Sequence, residues 1–280
     1  MRYSYFKPID DLSNFVDRFW HYEGYEAAHL TERILPLGTI ELVINLQQDE
    51  LRIYDVEKPG RCKKLSGSVI SGAYDRGFIS DTEEETFIMG VHFRPGGAFP
   101  FLDVTVDELA NTHIDLETLW GHGAIRLRNR LCEAQSPIER FQLLHVALLK
   151  HVFRYHEHHY AVSQALDVFS MPYTNSLIRD LAKEVGLSQR RFIQVFKSEV
   201  GMKPKLFSRI QRFNQTRVFL EENTVSDWAA FSINQGYFDQ SHMIREFNEF
   251  SGLSPMHFIR NQNRLHLDGT TIKPNHLPNI

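Results

Sequence analysis

Cysteine is scarce in this chain: only Cys62 and Cys132 occur among 280 residues, far apart and outside any CxxC spacing. A disulfide framework and a cysteine zinc site therefore have no sequence support, and both side chains read as reduced structural thiols. Long apolar runs are missing too. No stretch approaches the roughly 18 residues of a membrane-spanning helix, and the opening Met1-Arg-Tyr-Ser-Tyr-Phe-Lys-Pro8 lacks the apolar core of a secretory signal. These absences predict a cytoplasmic protein with no membrane partner. Walker loops, GxGxxG turns, GxSxG elbows and paired catalytic carboxylates are also absent, so the expectation is a protein that is no enzyme and holds no cofactor.

What is present is the composition of a folding chain, with 42% hydrophobic and 24% charged residues. Its length favours two domains over one. The net charge of -4 is unevenly placed. Residues 174–267 hold 13 Lys and Arg against 9 Asp and Glu, a local +4, whereas residues 1–173 hold 17 against 25, a local -8. A basic C-terminal part joined to an acidic partner suits a module that faces nucleic acid.

The first hundred residues carry short β-rich runs, Glu41-Leu-Val-Ile-Asn-Leu46, Leu51-Arg-Ile-Tyr54, Ser68-Val-Ile-Ser71 and Thr86 to Phe93. Turn signals at Pro36-Leu-Gly38, Lys58-Pro-Gly60 and Arg94-Pro-Gly-Gly97 punctuate them, which predicts an antiparallel sheet or small barrel. After Phe101 the apolar spacing becomes helical, through Val106 to Leu109 and Ile125 to Leu131. The expected fold class is α+β: a β-rich accessory domain over 1–135, a helical connector over 136–172, an all-helical unit over 173–265, and a flexible tail over 266–280.

One internal repeat decides the functional reading. Its first copy runs from Ser176 to Pro204 and its second from Ser226 to Pro255. Gly186 matches Gly236 at an offset of 50, while Phe196, Gly201, Pro204 and Phe207 match Phe247, Gly252, Pro255 and Phe258 at 51. Each copy has the marks of a helix-turn-helix. Leu181, Ala182 and Val185 form the buried side of a short helix, Gly186 can end it in a left-handed conformation, and Ser188 can cap the next. In that next helix Phe192, Val195 and Phe196 share a face, leaving Arg190, Arg191, Gln194 and Lys197 on others. The second copy repeats the plan, with Gly236 at the turn, Asp239 as cap, Met243 and Phe247 inward, and Gln240, Ser241, His242 and Arg245 free. Arg pairs bidentately with guanine and Gln with adenine, the vocabulary of the major groove. A solvated helix face explains such residues in one copy; two aligned copies make coincidence improbable.

On this frame, densest at Gly201-Met-Lys-Pro-Lys-Leu-Phe207 and Gly236-Tyr-Phe-Asp-Gln-Ser-His242, residues 176–260 resemble the AraC/XylS family of transcription regulators. The resemblance implies that Arg190, Ile193, Gln194 and Lys197, and Gln240, Ser241, His242 and Arg245, face the major groove of double-stranded DNA, Ile193 through apolar contact alone. It also implies a connecting helix over 205–220, on which Arg209, Arg212 and Arg217 serve either as phosphate contacts or as surface salt bridges to Glu221 or Glu222. Ser232 stands where the family has a buried alanine. The N-terminal half resembles the family's accessory domains more loosely, through Trp20, Leu35-Pro36 and His92-Phe-Arg-Pro-Gly-Gly97. That implies control by a small-molecule effector or by homodimerisation, with RNA polymerase as a further partner.

Two other readings carry less weight. His151, His156, His158 and His159 invite a metal, but no Glu-x-x-His or His-Glu-x-x-His frame accompanies them, and connector surface or an interdomain contact accounts for them. An architectural DNA-binding protein without a sensor role would have a solid N-terminal core, whereas a lined apolar pocket would favour ligand control.

Overall fold

The computed structural model describes residues 2–24, 30–54, 61–82, 86–152, 158–171, 178–267 and 276–278. The β-rich half consists of two antiparallel sheets. Strands β1 (Arg2–Phe6), β2 (Val16–Glu23), β9 (Phe87–Phe93), β4 (Glu41–Asn45), β7 (Ser68–Ser71) and β10 (His113–Asp115) form the larger sheet, in that spatial order. The smaller has the order β11 (His276–Pro278), β3 (Thr31–Ile34), β8 (Phe78–Asp81), β5 (Glu50–Tyr54) and β6 (Cys62–Ser66). The chain passes from one sheet to the other at Gly67, between β6 and β7.

Alternation along the larger sheet explains its place in the molecule, because both of its faces are covered. Phe19, Leu42, Ile44, Met89 and Val91 belong to the main core shared with the helices, whereas Trp20, Tyr22, Val43 and Ile88 pack on the opposite face, towards the smaller sheet. Period-two spacing thus sends one set of apolar side chains to each layer.

Helices α1 (Leu116–Trp120), α2 (His122–Glu133) and α3 (Pro137–Lys150) cover the outer face of the larger sheet, with Phe141 against Phe19 at 6.5 Å. The switch to helix comes later than the spacing after Phe101 suggests. Phe99–Phe101 and Val106–Leu109 are single 3-10 turns, and β10 joins the sheet beside β7 before α1 begins. Thr105 explains the second turn: Glu108 reaches back to accept from its N–H and hydroxyl, closing one turn without extending it. The connector is two helices, α3 and α4 (Tyr160–Ser170), with His151 ending the first. The boundary expected near Pro172 lies outside the described residues. Within the expected tail, residues 276–278 pair with Glu32 to Ile34 as an edge strand.

Candidate nucleic-acid interface

The C-terminal region is all helical: α5 (Ile178–Glu184), α6 (Gln189–Val200), α7 (Pro204–Glu222), α8 (Trp228–Asn234), α9 (Gln240–Ser251) and α10 (Pro255–Leu267). Helices α5 with α6 and α8 with α9 are two copies of one device. In each the first helix stops at a glycine with positive φ, +67° at Gly186 and +77° at Gly236. The stops share their hydrogen bonds: Leu187 N–H donates to Ala182 O at 2.9 Å, and Tyr237 N–H to Ser232 O at 3.0 Å. This is the six-to-one closure that a left-handed residue permits. The next helix is capped by a short polar side chain, Ser188 accepting from Arg191 N–H and Asp239 from His242 N–H. Both second helices then end at another left-handed glycine, Gly201 and Gly252.

The inner faces explain the rigidity of the pair. Ala182 is buried where the following helix crosses, and Phe192, Val195 and Phe196 are buried along α6, as Met243, Phe247 and Phe250 are along α9. Ser232 is fully buried in the alanine position, and its hydroxyl donates to Ala229 O at 2.8 Å, so the polar atom is satisfied within its own helix. Helix α7, about 28 Å long at the usual rise, sets Phe207 against the first unit and Phe213 against the second.

The outer faces differ residue by residue. Arg190, Arg191 and Gln194 are exposed on α6, and Gln240, Ser241 and Arg245 on α9. Arg191 donates to Gln194 Oε1, so these two present a joined edge. Ile193 is half-buried. His242 is also partly withdrawn, its Nδ1 accepting from Phe238 N–H and its Nε2 lying 3.4 Å from Glu246. Lys197 is held by Asp107, 3.0 Å away in the 3-10 turn of the N-terminal half. Burial alone would raise the Asp107 carboxyl, but hydrogen bonds from Lys197 and Thr105 hold it below its ordinary value.

The arginines of α7 are committed inside the fold. Arg209 and Arg212 both donate to Glu246, Arg209 also to Glu249, and Arg212 to Gly236 O. Glu246 is buried, which would raise its carboxyl, yet hydrogen bonds from the two guanidinium groups outweigh that and hold it low. Of the two roles expected for Arg209 and Arg212, the structure shows salt bridges, to Glu246 and Glu249 rather than to Glu221 or Glu222, and these tie α7 to α9. Arg217 is buried and pairs with Glu221 at 2.6 Å, the salt-bridge alternative.

Several contacts between the halves had no sequence signal. Arg33 of β3 donates to Ser251 O at the end of α9, Gln211 to Leu37 O, and Asn214 to Pro36 O. His158 lies 3.0 Å from Glu199 of α6, His159 caps α4, and His151 stacks on Trp120 at 4.1 Å. The histidines between α3 and α4 therefore have structural partners, His156 lying outside the described residues.

Residues 181–261 match a family described as a helix-turn-helix domain. The C-terminal region is a helix-turn-helix domain. Residues 4–115, ahead of that domain, match a family described as a domain of unknown function (DUF6597). No curated protein matches the chain. Among solved structures, a transcriptional regulator from Chromobacterium violaceum, described by its AraC-type DNA-binding domain, is 18% identical with a TM-score of 0.33. The alignment covers 36% of this chain and 91% of that one. A probable AraC family regulator from Rhodopseudomonas palustris is 19% identical over 37% of this chain and 98% of its own, with a TM-score of 0.33. Wild-type ToxT from Vibrio cholerae, in a crystal structure with an unsaturated fatty acid, is 9% identical over 91% and 96% of the two chains, with a TM-score of 0.46.

Proposed function

We propose that this chain is a non-enzymatic, sequence-specific transcription regulator of the cytoplasm, in which α6 and α9 read DNA and the N-terminal half controls that reading. The observation that carries the proposal is the duplication: two helices capped in the same way, each with a polar outer face, fastened to one α7. In this reading Arg190, Arg191 and Gln194 on α6, and Gln240, Ser241 and Arg245 on α9, contact base edges, with Ile193 and His242 at their margins. A single protomer then reaches two successive major-groove segments, roughly 34 Å or 10 base pairs apart. Such a role also calls for RNA polymerase, and for a second copy of the chain, as protein partners.

Control fits the docking of the two halves better than a purely architectural role does. Asp107 occupies Lys197, and the strand-to-strand segment at Pro36 and Leu37 is bonded to α7. The Lys197 ion pair is only partly buried and is worth about 1 kcal/mol, so a DNA phosphate can replace Asp107 at modest cost. A site selected from random DNA, tested by mobility shift with five base pairs inserted between its two boxes, decides the reading. Affinity is expected to fall towards that for one box, and undiminished specific binding would mean that the two units do not read DNA together.

A further inference from the structure

A cavity of about 100 Å³, open to solvent on one side, lies between the two sheets. Strand register gives its wall an order. Arg18 pairs across to His92, His92 to Glu41, Glu41 to Ser71 and Ser71 to His113, so five strands of the larger sheet place five polar side chains in one transverse row. All five line the cavity. Two residues further along, the adjoining row is Trp20, Gly90, Val43 and Val69. A Cβ at Gly90 would fall 2.1 Å from Leu42 O and 2.6 Å from the Trp20 ring, so only glycine leaves room for the indole beside it. Leu51 and Leu65 face this apolar half from the smaller sheet.

The polar row is supplied on both signs and has one open position. Arg18 already has a counter-charge, Asp17 at 3.3 Å. Glu41 accepts from the Trp20 indole at 3.0 Å and lies 3.5 Å from His92 Nδ1. His113 is 6% exposed, its ring centroid 4.6 Å from both Tyr74, tilted, and Phe78, edge-on, and its buried Nε2 has no hydrogen-bond partner among the described residues. Burial, aided by the Lys63 charge, lowers its pKa to about 3, so the ring is neutral and offers a hydrogen bond without charge. An incoming carboxylate meets no unmatched cation, and an incoming ammonium meets a carboxylate already engaged.

We infer that this cavity binds an uncharged amphipathic small molecule, whose alcohol- or amide-like polar edge lies along the Arg18–His92–Glu41–Ser71–His113 row and whose apolar body lies over Trp20, Val43 and Val69. The inference rests on the control role proposed above and names the chemistry of the effector. Leu37 connects it to the helix-turn-helix part, because it lines the cavity while its carbonyl accepts from Gln211 of α7.

Calorimetric titration of the full chain with 1-decanol, decanoate and decylamine tests the inference. Decanol is expected to bind at least tenfold more tightly than either charged probe. His113→Phe, which keeps a ring between Tyr74 and Phe78, should weaken decanol about threefold to tenfold, the range of one neutral hydrogen bond. Glu41→Gln keeps an acceptor for the indole but removes the negative charge, and should raise decanoate affinity about tenfold. A merely structural role for Glu41 would not reverse the preference between head groups. Circular dichroism and the melting temperature without probe establish that each variant folds. Equal affinity for the three heads, no binding of decanol, or an unchanged preference in Glu41→Gln would overturn the inference. Mobility shifts on the same preparation separate the two proposals: DNA binding without decanol binding removes only the effector chemistry, whereas decanol binding without DNA binding removes the regulator reading.

Discussion

Two buried histidines make the stability of this protein depend on pH in a calculable way. His21 is fully buried beneath α3, with neither ring nitrogen hydrogen-bonded among the described residues, and burial followed by the Arg140 charge lowers its pKa to about 4. Glu23 opposes that shift and Arg2 adds to it, both weakly. His113, buried beside the cavity, is lowered to about 3. In the unfolded chain both titrate near 6.5. Between these limits the unfolded state binds more protons than the native one, so stability present above pH 6.5 is lost as pH falls, and the loss levels off below the folded values. At pH 5 the unfolded histidines lie 1.5 units below their pKa while the folded ones are still neutral, which gives about 2 kcal/mol each and about 4 kcal/mol together. Urea unfolding at pH 8 and pH 5, followed by circular dichroism, measures it. The double variant His21→Phe with His113→Phe replaces both rings by non-titrating ones and should lose about 4 kcal/mol less over that interval than the wild type. An identical loss in the two proteins would refute the assignment of neutral buried histidines.

Arg190→Ala and Arg245→Ala are each expected to weaken specific DNA binding by about 1 to 3 kcal/mol and to relax preference at one base position, read by competition against single-base variants of the site. Equal loss on all sequences would instead make them phosphate contacts. Glu246→Ala leaves Arg212 and part of Arg209 uncompensated at the junction of α7 and α9 and should destabilise the fold by about 2 to 3 kcal/mol, discounted for the partial exposure of the guanidinium groups. Arg209→Ala and Arg212→Ala should lower the melting temperature while leaving the salt dependence of DNA binding unaltered; a slope reduced by about 0.9 per residue would restore them as phosphate contacts. Asp239→Ala removes the side chain that caps α9 and should cost about 1 kcal/mol in urea unfolding.

The chain's local chemistry was enough to locate the helix-turn-helix units. Gly186 and Gly236 must end their helices because only glycine reaches positive φ without strain, and Ser188 and Asp239 must begin the next because their side chains satisfy free N–H groups. Such rules act within a few residues and are legible without the fold. The same holds for strands β4, β5, β7 and β9, whose β-rich runs stand between turn residues. Strands β1, β2, β3, β6, β8, β10 and β11 have no such local signature. The arginines of α7 mark the boundary between the two kinds of information. Their charge and helical spacing were plain, but whether they meet phosphate, Glu221 or Glu246 depends on how closely α9 packs, a distance no local pattern carries. His92, Glu41 and His113 are scattered over more than seventy residues of sequence and become neighbours only through antiparallel register. Short-range backbone preference was therefore enough to write the helix-turn-helix half into the sequence, while the polar row of the cavity and the docking of Asp107 on Lys197 exist only once long-range strand pairing and helix packing bring distant residues together.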